Sequence, residues 1–179
     1  MDTLETFLAQ LDLFGAVVEG VDGEGAWTAA SPCEEWTAAD VLDHVVGTQA
    51  DFLGRYGVEL VREDGEPAQR WAAHDAQVRA ALADEALLAV SYDSPFGRTT
   101  VGETLHAFYT FDLLVHRWDL GSAADQPVLW TDEEMRLLEA SLDEKGDMLY
   151  EYGASKPALE VPDDASWQTR LLARLGRAG

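Results

Sequence analysis

Three segments of the chain begin with a threonine that is followed, three residues later, by an acidic residue. They are Thr37-Ala-Ala-Asp40, Thr100-Val-Gly-Glu103 and Thr131-Asp-Glu-Glu134. The threonine hydroxyl can accept a hydrogen bond from an amide of the first helical turn, and the acid can return one or interact with the helix dipole. Apolar residues then recur at spacings of three and four, which indicates a helix with one buried side. The chain is therefore predicted to be largely helical.

The same patterns set the expected boundaries of the helices. We predict long helices over residues 2–20, 37–56, 101–121 and 131–151, and an additional helix over residues 67–84 that has a proline in its first turn. Residues 87–100 break the helical pattern around a Pro-Phe-Gly turn, which favours a small extended or hairpin segment. The C-terminal segment is predicted to be a loop followed by a short helix. The predicted fold class is all-α, a four-helix bundle formed by a single domain over residues 1–179.

Charge and composition exclude several classes of protein. The 34 acidic and 12 basic residues give a formal charge of −22, which repels phosphate backbones and argues against a nucleic-acid partner. No apolar run approaches the roughly 20 residues of a membrane span. The acidic, amphipathic N-terminal segment does not resemble a signal peptide. With a single cysteine, these features predict a cytoplasmic protein without disulfides.

One predicted helix carries ionisable residues on an otherwise apolar stripe. Its members advance in steps of three and four and are Leu105, Tyr109, Asp112, His116 and Asp119. A carboxylate and an imidazole one turn apart, as in Asp112 and His116, can bind one metal ion from a rigid backbone. Such a pair is also common as an ion pair or as a hydrogen-bonded core histidine. The spacing alone leaves both interpretations open.

A second histidine strengthens the metal interpretation. His44 lies among apolar residues of the predicted helix 37–56. If this helix faces the helix over 101–121, His44 can meet Asp112 and His116 in the interior. Two histidines and one carboxylate leave coordination positions for water or substrate, a set compatible with Zn²⁺, Fe²⁺ or Ni²⁺.

Other chemically capable residues have weaker patterns. Asp51 and Asp119 could orient the imidazoles or could be solvated acids near helix ends, and Tyr109 is a candidate pocket residue. Cys33 precedes His44 by about two and a half turns, roughly 10 Å or more of helical rise, so we expect a buried, unreactive thiol apart from the metal.

The remaining two histidines are not predicted to bind metal. His106 lies six residues before Asp112, on another side of the helix, and we expect it to be structural or exposed. His74 occupies an ordinary position on the additional helix over 67–84. The catalytic residues of any enzymatic activity stay unknown at this stage.

Two long motifs resemble a known family. SPCEEWTAADVLDHVVG (31–47) and FDLLVHRWDLGSAADQP (111–127) are similar to the DinB-like superfamily. Within it, the resemblance is to an uncharacterised actinobacterial metal-binding group related to the N-terminal domain of mycothiol-dependent maleylpyruvate isomerase. The resemblance implies a DinB-like four-helix bundle with one divalent metal, usually zinc. Its ligands carry over to His44, Asp112 and His116.

The resemblance also implies chemistry with a low-molecular-weight thiol such as mycothiol, whose sulfur the metal activates. We therefore expect a thiol-dependent transferase or isomerase that acts on a small electrophile. The isomerase has Glu where Asp112 stands and has a further C-terminal domain, so the bundle and metal are expected to carry over rather than maleylpyruvate isomerisation itself. A non-enzymatic metal- or ligand-binding bundle and a purely structural bundle are the alternatives. A homodimer and a monomer are equally compatible with the sequence.

Overall fold

Helices account for most of the described chain, as the capping patterns predict. The computed structural model describes residues 3–95, 97–146, 148–151 and 155–179. These residues fall into two compact units, residues 1–127 and 128–179. The first unit contains a short 3₁₀ helix (Ala26–Thr28) and the helices α1 (Thr3–Gly20), α2 (Ala38–Gly54), α3 (Pro67–Leu82), α4 (Glu85–Leu88), α5 (Val101–Thr104) and α6 (Thr110–Ala123). The second contains α7 (Asp132–Lys145), α8 (Met148–Glu151) and α9 (Trp167–Arg174).

All three predicted capping boxes are confirmed. At the start of α2, the Thr37 hydroxyl accepts from the Asp40 amide at 3.3 Å, and the Asp40 carboxylate accepts from the Thr37 amide at 2.8 Å. The same reciprocal bonds begin α5 at Thr100 and α7 at Thr131. Each box satisfies amides that the first helical turn would otherwise leave unpaired, so the start of each helix is fixed locally.

The predicted continuous helix over residues 101–121 is corrected in one respect. Between α5 and α6 the chain forms a π-helical turn over Leu105–Tyr109, and the Thr110 hydroxyl donates to the Leu105 carbonyl at 3.3 Å. A π turn contains one more residue than an α turn, and such turns often occur beside functional sites. This one ends three residues before Asp112.

The helix predicted over 131–151 is interrupted as well. The α7 helix ends at Lys145, and Gly146 has a φ of 52°, in the left-handed region that glycine adopts without strain. The α8 helix begins beyond it at Met148. Helices commonly end at a glycine with a positive φ. Gly146 was therefore the feature of the sequence that could have predicted the break.

Four helices of the first unit share one apolar core. The α1 helix packs against α6 and α3, and α2 packs against the same two helices. The largest fully buried side chains in this core are Phe7, Leu11, Phe14, Leu42, Leu53, Leu105, Leu113 and Leu120. The α3 helix, predicted as an additional element, therefore contributes directly to the core. The contact between α2 and α6 determines where the predicted ligands lie.

The predicted hairpin segment is confirmed. Strands β1 (Ser91–Ser94) and β2 (Gly97–Thr100) pair antiparallel, with Ser91 opposite Thr100 and Ser94 opposite Gly97. The sequence-predicted turn also includes Phe96, which lies outside the described residues. The last residue of β2 is the N-cap of α5, so the hairpin leads directly into the helix that precedes the π turn.

The second unit is built around α7 and α9, which pack against each other. Leu138 and Leu142 of α7 and Leu171 and Leu172 of α9 are buried. Gln168 accepts from the Trp130 amide and donates to the Val128 carbonyl, both at 2.9 Å, which ties the entry segment to α9. Within the described chain, every helix is too short or too polar to cross a lipid bilayer.

Candidate metal site

Three side chains from α2 and α6 meet between these helices. The Nε2 atoms of His44 and His116 lie 3.3 and 3.4 Å from the same oxygen, Oδ1 of Asp112. One potential ligand atom from each residue lies within 4.8 Å of the other two. The structure therefore brings together the three residues that the sequence proposed as ligands. The two imidazole centroids are 4.7 Å apart in an edge-to-face arrangement.

The cluster is mostly shielded from solvent but opens on the side of His44. The exposed fraction of the side chain is 29% for His44, 15% for Asp112 and 11% for His116. Burial would raise the pKa of Asp112, but the charge and hydrogen bonds of His116 and His44 hold it well below its ordinary value. Burial likewise opposes the charge on His116, yet Asp112, Asp119 and Cys33 raise its pKa well above 6.5.

One polar atom of the cluster is left without a partner. Asp112 Oδ2 is buried and has no hydrogen-bond partner among the residues that the structure describes. A buried carboxylate oxygen left in this way carries a desolvation cost that a cation would offset. Two imidazole nitrogens and a carboxylate also form the donor set of catalytic zinc and related divalent sites. The residues present therefore fit a divalent metal.

The far side of the His116 ring contacts a second acid. Its Nδ1 lies 3.0 Å from Oδ2 of Asp119, a residue of α6 whose side chain is fully buried. The Cys33 thiol donates to the same oxygen at 3.3 Å. Cys33, His116 and Asp119 thus form a second close cluster of potential metal ligands, which shares one histidine with the first.

The position of Cys33 corrects the expectation of a distant, buried thiol. The loop 31–36 folds back on itself: the Ser31 amide donates to the Trp36 carbonyl at 2.8 Å, and the Trp36 amide to the Cys33 carbonyl at 3.1 Å. Glu35 takes a left-handed φ of 63° within this loop. Helical rise does not apply to a folded loop, so the thiol reaches α6 and is half-buried.

Sequence reasoning did not single out Trp36. Its ring centroid lies 5.0 Å from that of His44 and 5.9 Å from that of His116, and its plane is inclined by 28° to the His116 ring. Trp36 directly precedes the N-cap Thr37, a position where apolar residues often pack onto the helix that follows. That placement was the available signal, and here it covers both imidazoles.

The two remaining candidate residues, Tyr109 and Asp51, occupy different surroundings. Tyr109 is buried, donates its hydroxyl to the Thr48 carbonyl at 3.1 Å, and has a raised pKa because of burial and the nearby Asp112. Asp51 is exposed on α2. The structure thus adds Cys33 to the neighbourhood of Asp119 and places Asp51 at the surface.

Neither of the remaining histidines belongs to the two clusters of described residues. His106 is half-buried on the π turn. His74 is only 4% exposed, and its Nε2 lies 3.0 Å from Oε1 of Gln49. Burial lowers its pKa to about 4, so it is neutral at pH 7. The ordinary helical position expected for His74 is in fact a core position.

Fold and site together define a helical protein with a histidine–carboxylate cluster between two helices. The family model described as "Mycothiol maleylpyruvate isomerase N-terminal domain" matches residues 7–121, and the chain belongs to this family. The matched range runs from within α1 to within α6 and includes every residue of the two clusters.

Two curated relatives support the assignment. The uncharacterized proteins MT0763 and Rv0738 of Mycobacterium tuberculosis, from strains CDC 1551 and H37Rv, are each 31% identical to this chain over 131 residues. The alignment covers 70% of this chain and 69% of each relative. A search of solved structures gives no significant match.

Proposed function

We propose that this protein binds one divalent metal ion, zinc in preference to Fe²⁺ or Ni²⁺, and uses it in a thiol-dependent transferase or isomerase reaction. The observation that carries the proposal is the convergence of two imidazole Nε2 atoms on one oxygen of Asp112, whose other oxygen is buried without a partner in the described chain. The metal ligands would be His44, Asp112 and His116. The family description, which names a mycothiol-dependent isomerase, supports the choice of a thiol co-substrate.

The helical packing supports the DinB-like four-helix bundle implied by the resemblance. The sequence predicts residues 131–151 as the fourth long helix, but α7 belongs to the unit 128–179, and in this proposal α3 takes its place. The bundle then consists of α1, α2, α3 and the segment from α5 through α6, since α1 and α2 each pack against both α3 and α6. The ligands then come from α2 and α6, and the backbone of each helix holds its ligand in place. Rigid helical backbones reduce the entropy lost when the ligands converge on an ion.

When bound, a divalent metal supplies a Lewis acid that lowers the pKa of a coordinated thiol toward neutrality. The chain's own residues define the surroundings of that chemistry. Trp36 covers one side of both imidazoles and limits the access of water there. His44, the most exposed of the three ligands, marks the side from which a small molecule would enter.

The reacting thiol is proposed to come from a small molecule rather than from the protein. The chain has one cysteine, and its sulfur lies on the Nδ1 side of His116, hydrogen-bonded to Asp119. The Nε2 atom of His116 faces Asp112 on the other side of the His116 ring. Cys33 therefore does not occupy the side where the three ligands converge, which leaves that side for a low-molecular-weight thiol such as mycothiol and a small electrophile.

The test begins with metal stoichiometry. Protein purified without added metal is analysed by elemental mass spectrometry, with His44→Ala and His116→Ala as ligand variants and His106→Ala as the matched control. We expect one divalent metal per chain in the wild type and control, and loss of it in both ligand variants. Full occupancy in the ligand variants would refute this ligand set.

The second part of the test concerns catalysis. Metal-loaded protein is mixed with mycothiol and a panel of small electrophiles, and loss of free thiol is followed against the metal-stripped protein. Metal-dependent thiol consumption, absent in His116→Ala, supports the enzyme. Stoichiometric metal with no thiol consumption across the panel would favour a non-enzymatic metal-binding module instead.

A further inference from the structure

Asp119 and Cys33 form a buried support behind His116. Asp119 Oδ2 lies 3.0 Å from His116 Nδ1 and accepts from Cys33 Sγ at 3.3 Å. Asp119 stands three residues after His116 on α6, so its side chain reaches the ring from the same face. Cys33 comes from the loop 31–36, which precedes the helix that carries His44. One carboxylate oxygen thus connects the elements that position both histidines.

We propose that Asp119 is a positioning residue for His116 and that Cys33 acts through Asp119 to hold it in place. An ionised carboxylate can only accept hydrogen bonds. The Asp119 oxygen lies 3.0 Å from Nδ1 and the Asp112 oxygen 3.4 Å from Nε2, so the shorter contact keeps the proton of the neutral His116 ring on Nδ1. The Nε2 lone pair then points to the side where Asp112 and His44 converge. Residues that orient a metal-binding histidine in this way raise its affinity for the ion without contacting it. The inference rests on the proposed metal function and deepens it by assigning the residues that prepare the ligand.

The Cys33 thiol contributes because the Asp119 carboxylate has no contact with solvent. The Asp119 side chain is 0% exposed, and a buried charge needs hydrogen bonds to offset lost hydration. The Cys33 hydrogen bond supplies one of these and orients the carboxylate toward the ring. Serine can donate a similar bond, whereas alanine cannot. This difference separates a hydrogen-bonding role of Cys33 from a packing role.

Metal affinity measured by competition with a chromophoric chelator tests both residues. For Asp119→Asn we expect a loss of about 10- to 100-fold, the range typical for removal of such a partner. Cys33→Ala should lose less, and Cys33→Ser should bind nearly as tightly as the wild type. In the double variant Asp119→Asn/Cys33→Ala, the cysteine change should add little, because its effect passes through Asp119. Asp75→Asn, which removes an ion pair of α3 with Arg79, is the matched carboxylate control and should leave affinity unchanged.

The metal-free protein gives a second, independent readout. ¹⁵N spectra of labelled histidine, recorded at a pH where the His116 ring is neutral, report which nitrogen carries the proton. We expect the Nδ1-protonated tautomer in the wild type and Cys33→Ser, and a larger Nε2-protonated fraction in Asp119→Asn. A tautomer and an affinity that are both unchanged in Asp119→Asn would overturn the inference.

The two proposals can fail separately. If the wild type binds no divalent metal, the proposed function fails, while the tautomer comparison still decides whether Asp119 orients His116. If the wild type binds metal and Asp119→Asn shows neither change, the function stands and the positioning role falls. Equal losses in Cys33→Ala and Cys33→Ser would contradict the hydrogen-bonding role of the thiol.

Discussion

Trp36 lies across His44, with ring centroids 5.0 Å apart and ring planes inclined by 44°. His44 is a proposed metal ligand, so metal binding should change the surroundings of the Trp36 indole and with them its fluorescence. We expect Zn²⁺ addition to metal-free protein to change tryptophan fluorescence, and Trp36→Phe to lose most of that change while it keeps metal stoichiometry. The matched control is Trp71→Phe, whose aromatic neighbours are Phe14 and His74. An unchanged fluorescence response in Trp36→Phe would contradict the predicted reporter role.

Metal binding should also stabilise the fold, since an ion that binds only the native state shifts the unfolding equilibrium. At free Zn²⁺ about 100-fold above the dissociation constant, the free energy of unfolding should rise by about 2.7 kcal/mol. Asp112→Asn removes the charge that both histidines face and should abolish most of this gain. Differential scanning calorimetry with and without chelator measures the effect.

The control for this experiment is Asp51→Asn, because Asp51 is an exposed carboxylate on α2. It should retain the zinc-dependent rise in melting temperature. If Asp112→Asn retains that rise as well, Asp112 is not a ligand.

His74 predicts a pH dependence of stability that does not involve the metal ligands. Burial lowers its pKa from 6.5 to about 4; nearby Asp75 opposes this shift and Arg62 adds to it. The unfolded chain therefore takes up a proton before the folded one as pH falls from 6.5 to 4. The contribution of His74 is fully present above pH 6.5 and is lost progressively toward pH 4. By linkage, the loss amounts to about 3 kcal/mol.

Urea unfolding at several pH values in the presence of chelator measures this contribution. His74→Gln cannot titrate, so the difference in unfolding free energy between wild type and variant should change by up to this amount across the interval. His106→Gln, at a half-buried position on the π turn, is the control and should keep the wild-type slope. A His74→Gln slope equal to that of the wild type would show that His74 does not set the acid response.

The capping threonines can test the predicted single domain. Thr37 begins α2 in the unit 1–127, and Thr131 begins α7 in the unit 128–179. Replacement of either by alanine should cost about 1 kcal/mol. For one cooperative domain of this size, both variants should lower the same melting transition by about 2–4 °C. Two separate transitions, each moved by only one variant, would contradict the single-domain prediction.

Local signals account for what the sequence could predict. The Thr37, Thr100 and Thr131 boxes depend on residues three apart, and the structure contains all of them. The approach of His44 to Asp112 depends on which helices face each other, which spacing cannot establish. The family resemblance supplied that missing relation, and the geometry between α2 and α6 agrees with it.

Features that depend on loops were harder to predict. The fold-back of residues 31–36 relies on backbone bonds within the loop and on the positive φ of Glu35, a conformation that a glutamate rarely adopts. Neither leaves a periodic pattern, so Cys33 and Trp36 were not expected at the site. The π turn is equally invisible to a count of threes and fours, because Leu105 and Tyr109, four residues apart, are both still buried.

The π turn over Leu105–Tyr109 should make the segment from α5 through α6 tolerant of a one-residue deletion. A widened turn holds one residue more than regular helix needs, so a single deletion there can be absorbed by a return to α geometry. We expect such a deletion to leave Asp112 and His116 facing α2. One placed after Asp112 would turn His116 by about 100° around the helix axis, away from its partners. Alignments of this family should therefore accept a one-residue gap before the Asp-x-x-x-His motif and none within it.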